Sequence, residues 1–432
     1  MLSARGGSNV PRAVVERPPT RRDELDLLRA LVVVGLVFFH TAVIFGAGEF
    51  PIKAATENRV ATVFLGFGAA WGMPLLFLIS GMGIWYALRS RSPAAFARER
   101  LRRLGVPLLV GLLTLVPLQV YLGLRRVGGP SSYASFYARF WDVRAVLDFP
   151  FVITAAPGGV FETGHLWFLV CLLGFSLVLL PGLAWLHRPA GRRLLERPGG
   201  LLAGPGGLLL PALPLAVVEV ALGSETGHGG WNHGSYALFL LYGFLAAADP
   251  RISEALQRRW RPAAALGLLL FLATGVAYGA ADAGTEPFTD MDSFSMAFRL
   301  LKSVDGWLWV VAIVGLARSQ LQRRRSSPGQ PASQRAARPG RLRRLGAYAN
   351  EAVLPFYVLH ETVIVVVAYF VLAWPIRAGA QYGVIAMASL AATLLLYDLG
   401  VRRSPLTRFL FGLKPLGGPA PGTAAHSAHQ GG

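Results

Sequence analysis

A chain of 432 residues with mean hydropathy +0.48, 53% apolar residues and a net charge of +19 is too apolar for an ordinary soluble protein. The charge does not point to nucleic acid, because the arginines stand in short blocks between apolar runs and no RNA- or DNA-binding motif accompanies them. A single cysteine, Cys171, excludes an intramolecular disulfide and lies inside an apolar run, where it reads as a small packed residue.

Taken in order, residues 1–20 are Arg/Pro/Gly-rich and read as a disordered basic tail. A transmembrane domain over 21–403 follows, then a Gly/Pro-rich tail over 404–432. Within the domain, apolar runs at 25–47, 60–88, 104–124, 165–186, 208–222, 233–248, 262–281, 295–317, 345–372 and 381–401 predict an all-α, polytopic helix bundle of about ten spans. The first run is long and preceded by acidic residues, so it does not read as a cleaved signal peptide. The connection 125–164 carries Tyr133, Phe136, Tyr137, Phe140 and Trp141 and reads as a short amphipathic or re-entrant element. Placing both termini and every second connection in the cytoplasm puts most of the 42 Lys and Arg there, the bias expected of a multi-pass membrane protein. No internal repeat of the kind many transporters carry is visible.

The first span sets out the chemistry. Asp26 and Arg29 stand at its start and His40 eleven positions beyond Arg29. At about 100° and 1.5 Å per residue, Arg29 and His40 share a face and lie roughly 16 Å apart along the axis. A guanidinium is thus placed near one surface and an imidazole deep in the bilayer, where polar groups line paths and sites. Asp26, one turn from Arg29, is its natural partner and too far from His40 to orient it. His360, Glu361 and Asp305 fall at depth in later spans, and His165 and Trp167 open the fourth. A histidine with an acidic neighbour can act as general base toward a hydroxyl, and Glu361 or Asp305 could approach His40 from another helix. The block Arg98 to Arg103 offers guanidinium forks that suit phosphate, although the positive-inside rule accounts for it equally. His228 and His233 flank a Gly-rich loop, but their spacing is not diagnostic of a metal, and no metal is expected.

Five segments in order carry a resemblance. Leu25-Asp26-Leu27-Leu28-Arg29 with His40, Phe77-Leu78-Ile79-Ser80-Gly81, Arg100-Leu101-Arg102-Arg103 with Leu104 and Pro107, Gly164-His165-Leu166-Trp167-Phe168-Leu169, and Pro355-Phe356-Tyr357-Val358-Leu359-His360 resemble motifs of the membrane-bound acyltransferase 3 family. The Gly-His-Leu-Trp-Phe-Leu and Arg-Leu-Gly-Val-Pro segments are similar to those of its glucans biosynthesis protein C group. The resemblance implies O-acyl transfer from cytoplasmic acyl-CoA, with acetyl and succinyl both open, to a hydroxyl of an extracytoplasmic carbohydrate or lipid-linked glycan, in the inner membrane of a bacterium. By position it implies His40 as the catalytic histidine with Arg29 and Asp26 in the same motif, and Arg100 and Arg103 on the CoA phosphates. His165, Trp167, His360, Glu361 and Asp305 are then the residues expected to meet substrate. Acyl-CoA, the glycan acceptor and membrane lipids are the expected partners, without nucleic acid. The alternatives are a transporter or flippase for a sugar or lipid conjugate, and a non-catalytic envelope scaffold.

Overall fold

The computed structural model describes residues 23–204, 206–282, 284–325 and 340–415. The expected N-terminal tail, residues 326–339 and the tail beyond 415 lie outside the described residues.

The helices are α1 (Asp23–Phe45), α2 (Arg59–Leu88), α3 (Pro93–Arg100), α4 (Val106–Arg126), α5 (Tyr133–Phe140), α6 (Trp167–Val178), α7 (Leu180–Leu186), α8 (Pro189–Ala203), α9 (Ala212–Leu222), α10 (His233–Ala248), α11 (Pro250–Gly279), α12 (Ser293–Arg325), α13 (Gly340–Val371), α14 (Ala378–Leu395) and α15 (Pro405–Leu410). Local signals set their ends. Asn58 Oδ1 accepts from the first amides of α2, Val60 and Ala61, at 2.8 and 3.3 Å. Ser92 Oγ accepts from Ala95 N and Pro93 fills the first position of α3. We call the side where α1 and α3 begin the arginine-rich face, and the side where α1 ends at Phe45 the opposite face.

Among the described residues, seven helices are long and apolar enough to cross a membrane, or nine if each of two bent pairs counts as one span, rather than the ten expected. The expected fourth span is a pair bent by 54°, Gly164–Val178 with Leu180–Leu186. The fifth belongs to a pair bent by 111°, Pro189–Ala203 with Gly207–Leu222, and the α-helix that ends its second arm, α9, has 11 residues. The sixth, α10, has 16. At 1.5 Å per residue α9 and α10 reach about 16 and 24 Å, short of a ~30 Å hydrocarbon core. Their turn is accordingly set at depth. Gly46, just past α1, faces Ala61 and Thr62 of α2, which marks the opposite face. Met73, about 16 Å further along α2, is where Gly229 of the α9–α10 loop packs, and Trp231 Nε1 donates to Ala69 O at 3.1 Å.

A buried ion pair pins that loop. Lys302 Nζ donates to Glu219 Oε2 and to Ser224 Oγ, both at 2.9 Å, and sits 4.4 Å over the Trp231 ring. Glu219 also accepts from Asn232 N at 2.7 Å and Ser235 Oγ at 2.6 Å. A buried carboxylate with this many donors is satisfied without an external ligand.

The connection 125–164 matches its expected amphipathic character. Helix α5 buries Phe136 and Phe140, and Tyr137 donates to Leu113 O of α4 at 3.0 Å. It also holds two antiparallel strands, β1 (Val143–Asp148) and β2 (Phe151–Ala155), so among the described residues the fold is helical with one small hairpin. Val143 pairs with Ala155 and Asp148 with Phe151, with a register shift between Ala145 and Asp148. The hairpin tip lies against α6, where Pro150 and Phe149 pack over Gly174.

Chain beyond the last span turns back onto the bundle. Arg408 of α15 is buried and donates to Glu351 Oε1 at 2.6 Å, Lys414 O at 2.9 Å and Arg402 O at 3.2 Å. Gly412, at φ +71°, seats its Cα against the Arg103 carbonyl, and its own carbonyl accepts from Arg103 Nε at 3.3 Å.

Candidate active site

Four of the expected residues converge. His40, on α1 one turn from the opposite face, faces α13. Its Nδ1 lies 3.2 Å from Glu361 Oε2, and its side chain stays 20% exposed, which leaves the far edge of the ring reachable. On the other side of the same carboxylate, His165 Nδ1 lies 3.6 Å from Glu361 Oε1. The His360 ring centroid is 5.2 Å from that of His40 and 5.3 Å from that of His165.

Backbone carbonyls orient two of the rings. A carbonyl oxygen only accepts, so His165 Nε2, 3.1 Å from Val358 O, carries a proton, and so does His360 Nδ1, 2.6 Å from Tyr357 O. Tyr357 returns the contact by donating to His165 O. Gly164, at φ +49°, allows the chain to turn into α6 beside Gln119, and Gln119 Nε2 donates to Thr362 Oγ1 at 2.6 Å, tying α4 to α13 next to Glu361. The His40–Glu361 pair has the geometry of a base held by a carboxylate: Nδ1–H on Glu361 fixes the tautomer and leaves the Nε2 lone pair free.

Arg29 and Asp26 stand at the other end of α1. Arg29 Nη2 comes within 3.9 Å of where a side chain would begin on Gly83 of α2, and its charge is felt by Arg100 together with those of Arg103 and Arg91. Arg100 lies over the Phe96 ring at 5.0 Å, and Arg103 Nη1 is 3.5 Å from Glu99 Oε1. Guanidinium groups of α1, α3 and the turn before α4 are thus gathered on the arginine-rich face.

Two expected residues stand apart. Asp305 lies on α12, buried with Oδ1 free of any hydrogen-bond partner, and is not the carboxylate paired with His40. Trp167 packs with Phe77, Tyr236 and His228 and forms the wall beneath His165 rather than part of the His–Glu cluster. Sequence reasoning left Gln119, Arg408 and Gly412 unnoticed. Gln119 was findable as an uncharged polar residue in an apolar run; Arg408 pairs with Glu351 of a distant helix and Gly412 acts through its backbone, and no spacing reveals either.

Glu162 lies in the connection entering α6. Burial, together with the Glu361 charge, pushes its carboxyl up to about 7. A carboxyl raised above its unfolded value of 4.5 takes stability away as pH rises from 4.5 through 7. In thermal unfolding across that window, the Glu162→Gln variant should lose less melting temperature than the parent. Parallel curves would remove Glu162 from the electrostatics of this site.

A helical bundle with several helices long and apolar enough to cross a membrane, a His–Glu pair near one face and an arginine cluster at the other defines a polytopic membrane protein with a polar site inside its bundle. A profile of the acyltransferase domain matches residues 22–398, nearly the whole chain, and the protein belongs to the acyltransferase 3 family. It is similar to glucans biosynthesis protein C of Salmonella paratyphi B, Salmonella heidelberg and Salmonella agona, each 26% identical over 178 residues. That match covers 40% of this chain and 41% of each relative, so it spans about two-fifths of their length. No solved structure matches.

Proposed function

We propose that the protein is an integral-membrane O-acyltransferase that moves an acetyl or succinyl group from acyl-CoA on the arginine-rich, cytoplasmic face to a hydroxyl of an extracytoplasmic glycan or glycolipid, in a bacterial inner membrane. The observation that carries this reading is His40 Nδ1 held 3.2 Å from Glu361 toward the far end of the helix whose second turn carries Arg29. Both termini lie in the cytoplasm in this reading, because that puts the arginine blocks inside.

The donor nucleotide is bound by Arg100 and Arg103, with Arg29 beside them, since guanidinium forks complement phosphate oxygens. Asp26 supports Arg29 from the same helix. The thioester extends toward His40. The acceptor hydroxyl approaches from the opposite face past His165 and Trp167. His40 Nε2 takes the hydroxyl proton as the oxygen attacks the thioester carbonyl, and Glu361 stabilises the imidazolium. The C–S bond then breaks, and the proton passes from His40 to the departing thiolate, so no net proton is consumed.

The test is CoA release by purified protein in nanodiscs, offered acetyl-CoA or succinyl-CoA with mixed envelope glycans. Glycan-dependent thiol release supports the reading. Glycan or lipid binding without thiol release from either donor would favour transport of a sugar or lipid conjugate. The double variant Arg100→Ala, Arg103→Ala should raise the KM for acyl-CoA by at least about tenfold, as expected for loss of charge-assisted bonds of ~1.5–3 kcal/mol, and leave the acceptor KM nearly unchanged. An unchanged donor KM would return the cluster to a topology signal.

The C-terminal turn makes a related expectation. With a valine at 412, the new side chain would press on the Arg103 carbonyl and on Leu354 and Pro107. Gly412→Val should raise the donor KM while the acceptor KM stays put, measured in the same assay. Equal effects on both would mean a general loss of structure.

A further inference from the structure

His40, His360 and Glu361 have a second use. One donor atom of each lies within 4.8 Å of the other two. His360 is already held as metal-bound histidines are held, with one ring nitrogen donating to a backbone carbonyl and the other carrying a lone pair. That other nitrogen, Nε2, is fully buried and has no hydrogen-bond partner. Buried polar atoms are rarely left so, and the exceptions in native structures tend to mark a catalytic role or a missing water or ion. Glu361 adds an anionic oxygen between the rings, and the partly exposed His40 ring is free to tilt.

We propose that His40 Nδ1, His360 Nε2 and the Glu361 carboxylate form a binding site for a divalent transition-metal ion such as Zn²⁺, and that an occupied site is an inhibited enzyme. Two imidazoles and a carboxylate are a donor set that zinc accepts in tetrahedral sites with a fourth position open. Zinc–ligand bonds of ~2.0–2.1 Å bring donor atoms to roughly 3.3 Å from one another; His40 Nδ1 and Glu361 Oε2 already stand 3.2 Å apart, and the remaining separations, within 4.8 Å, narrow toward that spacing as the ion enters. The metal displaces the His40 Nδ1–H···Glu361 contact, and the ring proton moves to Nε2. The imidazole then has no lone pair for an acceptor hydroxyl. Metal binding stands on the geometry alone; the inhibition rests on the acyl-transfer reading.

The experiment is zinc titration of the full chain in nanodiscs by equilibrium dialysis with elemental analysis. It compares the parent with His360→Gln and with His233→Gln, because His233 Nε2 and His228 Nδ1, 3.2 Å apart, offer a competing pair. The expected result is one zinc per chain at low micromolar free zinc, weakened at least tenfold in His360→Gln and unchanged in His233→Gln. No stoichiometric zinc in folded parent, equal affinity in His360→Gln, or loss in His233→Gln instead would each overturn the site. Should His360→Gln fail to fold, the zinc-edge absorption spectrum of the parent decides: two imidazoles and oxygen are expected, and any other first shell overturns the assignment. Product formation followed by mass spectrometry should stop on zinc addition and resume with chelator, whereas zinc-loaded protein that turns over normally would overturn the inhibition. Absence of transfer by chelated parent would count against the acyltransferase reading and leave the zinc result standing.

Discussion

His40→Ala is expected to lower acyl transfer by about 10³-fold, within the 10²–10⁴ range of a lost general base, while the protein still inserts and purifies as the parent does. In the proposed mechanism the substitution removes the group that takes the hydroxyl proton, and it leaves Glu361 a neighbour short. Because His40 sits at the end of a helix and is partly exposed, its loss opens no large internal cavity. Measured glycan-dependent product formation is the readout, with monodispersity in detergent as the control. Normal turnover in a well-folded variant would sink the mechanism. Glu361 should matter differently: it touches His40 and not the reacting atoms, so its variants should move the pH profile of kcat as well as its height.

Gly243→Val is expected to cost the fold rather than the chemistry. Where α2 and α10 cross, a Cβ on Gly243 would meet the Leu78 carbonyl at 1.8 Å, and one on Gly81 would meet the Leu240 carbonyl at 1.8 Å. Each glycine therefore accommodates the backbone of the other helix, the arrangement by which small residues let membrane helices approach closely. A flexible side chain could step aside, but a helical carbonyl cannot. The destabilisation should reach or exceed the upper end of ordinary overpacking, about 3 kcal/mol. Thermal unfolding in nanodiscs reads it, and a parent-like melting temperature would mean that the helices can separate here without penalty. The contact carries function too. Ser80 and Gly81 lie in α2 beside Phe77, whose ring packs with Trp167 and Phe168 beneath His165.

What the sequence could reveal followed from how each feature is encoded. Long helices such as α1, α2 and α13 are continuous apolar runs, and hydropathy finds them. The α9–α10 pair is equally apolar yet its helices have only 11 and 16 residues, because burial against protein and burial in lipid select the same residue types. That is where the expected ten spans and the seven to nine found by length and composition part. The helical period put Arg29 and His40 on one face of one helix, a relation internal to a single element. Choosing Glu361 over Asp305 as the carboxylate for His40 required knowing that α13, and not α12, presents its acid to α1 there. The tautomers of His165 and His360 depend on the carbonyls of Tyr357 and Val358, and every residue has a carbonyl, so residue type holds no trace of them.

The seating of Gly412 beneath Arg103 links residues near the end of the described chain to an arginine more than three hundred positions earlier. During synthesis, the earlier helices can enter the membrane and associate while Arg103 still lacks this brace. The surface proposed to face the donor phosphates is completed only when residues around 405–414 have left the ribosome and turned back. A nascent or prematurely terminated chain would thus be inserted and hydrophobically assembled, yet poor at capturing donor. Proteolytic trimming after the last span would return a mature enzyme to that same unready condition.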